Sequence, residues 1–310
     1  SVPNYARLMS DICVLGNFVA DNSFYAKQLP VKGQTVFGSG YQVGPGGKGS
    51  NQAIAAARLG SKVNFLGKIG EDANGKMAID LYKKNNIDQK TVFISKEHPT
   101  GVAGLMINKD DGTNAIIVCP GASMEITKQE IDKFSNLVTS CKVFLTQLEI
   151  KTDVTLHALK LAKSGNAITI LNPAPAIKIE DEFFKYIDFF TPNETEAEFY
   201  YGKKIQNHDE AKLAGEFFIK KGVKNSIITL GDKGVYFSNN ETDFPVPALD
   251  LKGKVLDTTG AGDAFSGALA SGLEKKMDIK ECLKFAIKVS GISTTKKGAA
   301  DAMPLLSEIN

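Results

Sequence analysis

Residues 257–265 read DTTGAGDAF, and an apolar run, AFSGALASGL, begins within that stretch at Ala264. Gly260, Ala261 and Gly262 carry almost no side chain, so the first free N–H groups of a helix starting there face outward as an anion hole, reinforced by the positive helix end. A phosphate is the expected occupant. Asp263 sits at the same helix start, where an acid on its own reads as an N-cap or first-turn residue without chemistry. Beside a phosphate hole a carboxylate is electrostatically wasteful unless it takes the proton of a hydroxyl that attacks phosphorus, so Asp263 reads as a general base. Asp257 either caps the turn or brings its oxygens to a cation.

A second glycine-rich stretch, GPGGKGSNQ at 44–52, is not a phosphate loop of the GxxxxGK[ST] kind, because Lys48 is followed by Gly49 and then Ser50. No glycine run makes GxGxxG between a first strand and its helix, which removes most support for a nicotinamide dehydrogenase. What GGKGSNQ offers is bare backbone followed by Ser50, Asn51 and Gln52 at a helix start, suited to a hydroxylated ligand with donation from Lys48 and Asn51. The plain alternative is a glycine turn with a Ser or Asn cap.

These residues need a frame. Short apolar runs at 12–17, 63–67, 143–149, 167–172, 187–193 and 226–231 alternate with segments of helical period at 50–60, 74–86, 153–165 and 209–222, and two more helices follow residue 262. Such βα repetition predicts an α/β fold with a doubly wound, mostly parallel sheet, in a single domain over 1–310. Two stretches break the rhythm. Residues 31–43 and 101–118 read as strands with glycine-rich turns, the second with an Asp111-Gly112 hairpin signal. They are expected to form a small β-lid, spanning 18–44 and 100–120, or else a plain extra hairpin.

Composition narrows the function classes. The 310 residues carry a net charge of +2 with acids and bases interspersed, which gives no basic stripe for nucleic acid. No apolar stretch is long enough for a membrane span and the N-terminus lacks a leader pattern, so a cytoplasmic protein is expected. The four cysteines, Cys13, Cys119, Cys141 and Cys282, are far apart, indicating buried reduced thiols rather than zinc or disulfides.

The motifs together resemble the PfkB-type carbohydrate kinases, and within them the ribokinase branch. The resemblance runs from VLGNFVAD (14–21) through GGKGSNQA (46–53), TGVA (100–103), TQLE (146–149), NPAPA (172–176), TPNETEAE (191–198), TLGDKG (229–234) and DTTGAGDAF to KKGAADAMP (296–304). It implies ATP-dependent phosphorylation of the 5-hydroxyl of D-ribose, with Asp263 as base and the N–H groups of Gly260 to Asp263 as the hole for the transferring group. It also implies a sugar site at Asp21, Gly47, Lys48, Asn51, Glu149 and Asp263, and a nucleotide site at Asn193, Thr229, Gly231, Gly234, Gly262 and Ile287. Mg2+ would be organised by Asn193 and Glu196 of the NxxE pattern, largely through water. An activating K+ would be held at Asp257, Thr259, Ser293, Lys296, Gly298 and Ala302, and a homodimer would form through the lid.

One position departs from the pattern. Val19 stands in GNFVAD where bacterial ribokinases typically have asparagine, so a hydrogen bond to the sugar is missing and 2-deoxyribose competes with ribose as substrate. A nucleoside kinase of the same fold would use apolar residues such as Phe18, Val19 and Phe37 against a base. A non-enzymatic sugar or nucleotide sensor would have little reason to keep Asp263 behind an intact hole. No arginine cluster is visible in the motifs, which favours a neutral sugar over a sugar phosphate.

Overall fold

Strands covered on both faces must be apolar at nearly every position, and the run Ile12–Leu15 is buried throughout. The computed structural model describes residues 11–310. Its elements begin with β1 (Ile12–Leu15), β2 (Val19–Ala26), β3 (Gly40–Gly46), α1 (Lys48–Arg58), β4 (Val63–Gly70), α2 (Ala73–Lys84), β5 (Val92–Ser95), β6 (Thr100–Asn108) and β7 (Asn114–Gly121). The middle of the chain holds α3 (Lys128–Asp132), α4 (Ser135–Ser140), β8 (Val143–Thr146), α5 (Thr152–Ser164), β9 (Ile168–Leu171), β10 (Phe189–Phe190), α6 (Glu194–Tyr201) and α7 (His208–Lys221). Then follow β11 (Asn225–Thr229), β12 (Val235–Asn239), β13 (Asp243–Val246), α8 (Ala261–Glu274) and α9 (Ile279–Ser293).

Nine of the described strands form one sheet in the order β13-β12-β11-β10-β9-β8-β1-β4-β5. It is parallel from β5 to β11, and β12 and β13 add an antiparallel edge. Alternate residues feed two cores. Ile12 and Val14 join the apolar cluster of α1, α8 and α9, whereas Cys13 and Leu15 join that of α5 and α7. The expected doubly wound architecture is therefore present, with helices covering both faces.

A separate small sheet has the order β3-β2-β6-β7, with β2 and β6 parallel and the two outer pairs antiparallel. The Asp111-Gly112 signal marks its β6–β7 hairpin, where Gly112 has a φ of 75°. Residues 31–43, expected as strand with glycine-rich turns, are strand only from Gly40. The earlier part turns at Gly33, where Gln34 N–H donates to the Val31 carbonyl at 2.9 Å, and joins β2 at Ser39, whose N–H donates to the Tyr25 carbonyl at 2.7 Å. Cysteine burial also needs correcting: Cys13, Cys141 and Cys282 are buried, but Cys119 on β7 is exposed. Among the described residues no helix is long and apolar enough to cross a membrane. The leader reading concerns residues 1–10, outside the described residues.

Loops leaving the carboxyl ends of the parallel strands carry the residues of interest, as ligand sites in open α/β sheets do. Small residues let the two helices bearing Asn51 and Asp263 approach closely. A Cβ placed on Gly267 of α8 would lie 2.5 Å from the Ala55 Cβ and 2.8 Å from the Gln52 carbonyl of α1. Alanine gains about 1 kcal/mol over glycine in a helix interior, but overpacking costs about 1–3 kcal/mol. Gly267→Ala should therefore lower stability in urea unfolding despite the better helix former; a more stable variant would contradict the tight α1–α8 contact.

Candidate active site

Helix α1 grows directly out of the small sheet. Gly47, with a φ of 93°, turns the end of β3 into the helix, and a side chain there would strike the backbone of Asn17, Phe18 and Val19. The side chains that accept from the first N–H groups of this helix come from elsewhere, Glu149 Oε1 from Lys48 and Asn17 Oδ1 from Gly49, so the capping alternative for Ser50 or Asn51 is not what the structure adopts. Ser50 instead accepts a hydrogen bond from the Tyr82 hydroxyl at 2.9 Å. Asn51 and Gln52 reach across to α8.

Asp263 is the third residue of α8 and is only 8% exposed. Its carboxylate does not cap its own helix. Asn51 Nδ2 donates to Oδ2 at 3.0 Å and Gln52 Nε2 to Oδ1 at 3.1 Å. Burial pushes the Asp263 carboxyl up, against Lys48 and the two amide donors, which favour the ionised form. The Oδ1 of Asn51 is buried without a hydrogen-bond partner, an acceptor suited to a hydroxyl donor.

The remaining sugar-side residues converge on the same place. The Lys48 N–H donates to Glu149 Oε1 at 3.1 Å, although Glu149 lies three residues beyond the end of β8 rather than on it. Asp21 projects from β2 over Gly46, whose absent side chain would otherwise lie 2.2 Å from the Asp21 Oδ2. Burial, then the charge of Glu149, raises the Asp21 carboxyl to about 6, with Lys48 opposing. Burial alone would lower the Lys48 ammonium, but Asp263, Glu149, Glu196 and Asp21 together raise it. One lysine thus serves four carboxylates. Val19 is buried on the Asp21 face of β2, opposite Gly46 and Gly101.

Beyond Asp263 the site opens into two adjoining cavities. A smaller one of about 230 Å³ is lined by Lys48, Asn172, Thr191, Asn193, Glu196 and Asp263. A larger cleft of about 940 Å³ is bounded by Asn193, Thr229, Gly231, Gly234, Gly262 and Ile287, every one of the sequence-derived nucleotide positions. Gly260, with a φ of 80°, precedes α8. The N–H of Ala261 is committed to the Thr258 carbonyl at 3.2 Å, so in this conformation it is not free for the anion hole expected of all four groups.

Asn193 and Glu196 form a reciprocal capping box at the start of α6: Glu196 N–H donates to Asn193 Oδ1 at 2.8 Å and Asn193 N–H to Glu196 Oε1 at 3.0 Å. The commonplace reading of NETEAE is thus also present. Glu196 keeps its second oxygen, and burial raises its carboxyl despite the Asn193 bond and Lys48. With one carboxylate and one amide on the cavity wall, the residues fit a divalent cation that retains most of its water.

Asp257 behaves as a clamp. Its Oδ1 accepts from Thr259 N–H and its Oδ2 from Gly298 N–H, both at 2.9 Å, and these bonds outweigh burial to hold its carboxyl below the usual range. Its own N–H donates to the Thr294 carbonyl at 2.9 Å, which draws residues 257–259 beside 293–298. Lys296 turns its side chain away to pair with Glu308. Both Asp257 carboxylate oxygens are thus engaged by backbone N–H groups, so in this conformation the carboxylate expected to hold K+ is not free.

Sequence reasoning assigned no role to Gln52, Gln147, Asn172 or Thr191, which stand around Asp263 as buried or half-buried polar groups. The signal was that each lies within a motif, Gln52 in GGKGSNQA, Gln147 in TQLE, Asn172 in NPAPA and Thr191 in TPNETEAE, with Gln147 also inside an otherwise apolar run. Of the residues considered for a nucleobase, Phe18 is wholly buried and edge-on to Tyr82, and Phe37 is 99% exposed.

Comparison with known proteins places this geometry. Residues 9–306 match the family described as pfkB family carbohydrate kinase. A ribokinase of Lactococcus lactis subsp. lactis is 36% identical over 303 residues, covering 97% of this chain and 96% of the relative. A deoxyribokinase of Salmonella typhi is 33% identical, with 97% of each chain covered. The structure of Arabidopsis thaliana ribokinase complexed with ribose and ATP superposes with a TM-score of 0.90 at 29% identity, covering 97% of both chains. With a match that spans nearly its whole length and relatives above 30% identity, the chain belongs to the pfkB family of carbohydrate kinases.

Proposed function

We propose that this kinase transfers the γ-phosphoryl group of ATP to the primary 5-hydroxyl of D-ribose, giving ribose 5-phosphate and ADP. The observation that carries the reading is Asp263, a buried carboxylate at the open N-terminus of α8, between the polar sugar-side cluster and the nucleotide-sized cleft. Its carboxylate takes the proton as the sugar oxygen bonds to phosphorus and the bond to the bridging oxygen of ADP breaks. Asp21, Asn51 and Glu149 fix the secondary hydroxyls, so the nucleophile is held in line. Lys48 and the N–H groups at the start of α8 face the charge that develops on the transferring group.

Asn193 and Glu196 would hold Mg2+, largely through water, and it would supply charge neutralisation on the phosphates. The loops joined at Asp257 would hold K+, which would support the shape of the hole. The small sheet, 18–44 and 100–120, acts as the lid, and the exposed Phe24, Tyr41 and Ile117 on one of its faces support pairing of two lids in a homodimer.

A second reading, 2-deoxyribose as a substrate of comparable quality, is favoured by Val19. It shares the strand face of Asp21 but offers no donor or acceptor.

Asp263→Asn should leave both substrates bound and lower kcat by about 10²- to 10⁴-fold; near-normal turnover would remove Asp263 from the proton transfer. Val19→Asn should move the kcat/KM ratio of ribose to 2-deoxyribose toward ribose by roughly tenfold or less, the worth of one net hydrogen bond. No activity on either pentose, in either protein, would move the assignment to another sugar. Asp21 gives a pH-dependent expectation. Because its folded carboxyl titrates near 6, above its ordinary 3.8, ionisation costs stability as pH rises through that window. Asp21→Asn should raise the Tm of the substrate-free protein at pH 7, lose that advantage as pH falls toward 4, and weaken sugar binding in calorimetry.

A further inference from the structure

Behind Asp263 lies a chain of side-chain amides whose direction is fixed at its far end. Asn172 Nδ2 donates to the Thr191 backbone carbonyl at 3.2 Å, and a carbonyl can only accept. Asn172 must therefore turn its oxygen inward, where Gln52 Nε2 donates to it at 3.0 Å. The same Gln52 nitrogen donates to Asp263 Oδ1 at 3.1 Å. Gln52 is then left with its oxygen facing Gln147, whose Nε2 donates to it at 2.7 Å. Reversing the Gln52 amide would set its oxygen against two other oxygens and its nitrogen against the Gln147 nitrogen. Both glutamines are shut from solvent, at 0% and 1% exposure, so no water can relieve such a reversal.

Resting on the kinase reading above, we propose that Gln52 and Gln147 are positioning residues: they hold Asp263 in one orientation and in its ionised form, so that Oδ2, shared only with Asn51, is the oxygen presented to the substrate hydroxyl. Neither glutamine touches substrate in this account. The charged groups that face Asp263 are Lys48 on α1, Glu149 beyond β8, Asp21 on β2 and Glu196 on α6. Of these, only Lys48 favours the carboxylate, so the donors from Asn51 and Gln52 are the remaining counterweight to burial and to three acids. Gln147 acts one step further back, by keeping the Gln52 oxygen occupied.

The test titrates the Asp263 carboxyl by ¹³C NMR of aspartate-labelled, substrate-free protein, assigned with Asp263→Asn. The pH profiles of kcat and KM are measured alongside. Gln52→Leu should move the titration, and the acid limb of kcat with it, up by about one pH unit, a tenfold change in the proton affinity of the base. At neutral pH kcat should fall roughly tenfold or more through misorientation, with the sugar KM little changed. Gln147→Leu should shift both in the same direction by less. A lower Tm with unmoved titration and acid limb would reduce the glutamines to packing, and a change confined to KM would make Gln52 a substrate ligand; either result overturns the proposal. Should Gln52→Leu not fold, the Gln147→Leu titration decides alone. A wild-type protein inactive on every sugar would defeat the kinase substrate assignment, while the substrate-free titration would still judge the amide chain.

Discussion

A carboxylate removed from water is stable only if its neighbours replace the hydration it loses, and that requirement at Asp263 organises much of this molecule. Its two oxygens find their donors on a different helix, so α1 and α8 must meet at a fixed height and rotation. The meeting is close because one side contributes Gly267 and the other the alanines around Ala55. Both helices begin at glycines with left-handed backbone, Gly47 and Gly260, which allow each helix to start where its strand or loop ends. The bare backbone of the two glycine-rich stretches thus serves geometry first and ligand access second.

The charge arrangement follows from the same economy. Lys48 is the cation within reach of Asp21, Glu149, Glu196 and Asp263, so the site carries an excess of negative charge before any ligand arrives. Hydroxyl groups that donate to carboxylates relieve part of that excess. A polyhydroxylated neutral molecule would suit this cluster better than an anionic one, while the α8 N-terminus and the adjoining cleft would suit phosphate. Two opposite ligand preferences sit within one helix turn.

Much of this was legible in the sequence, for reasons that residues make plain. The apolar runs at Ile12, Val143 and Ile168 could be nothing but buried strands, and Gly60, Gly165 and Gly222 marked where helices stop. The acids and the lysine of the site were visible as polar residues in glycine-rich or strand-end settings. β2 was harder, because VADNSFYA turns polar residues toward a ligand face and lacks the alternation of an ordinary half-buried strand. The stretch before Gly40 misled in the opposite sense, having strand-like residues but turning irregularly until it joins β2 at Ser39. The order of the amide chain was illegible in principle. Glutamine has the same letter whichever way its amide faces, and the direction is set by a carbonyl at Thr191, far away along the chain.

The division of labour between the two sheets bears on how such a protein changes over generations. Val19 and Asp21 belong to β2 of the small sheet, with Gly101 and Ala103 beside them on β6. Asn51, Gln52, Asn172 and Asp263 belong to the large α/β body, locked to one another through buried hydrogen bonds. On the proposed reading, replacement of a single small or apolar side chain on β2 or β6 would alter one part of the sugar contact while leaving the hydrogen bonds around Asp263 in place. The buried network would thereby be insulated from changes on these two strands, and a lineage could explore new sugars one strand residue at a time.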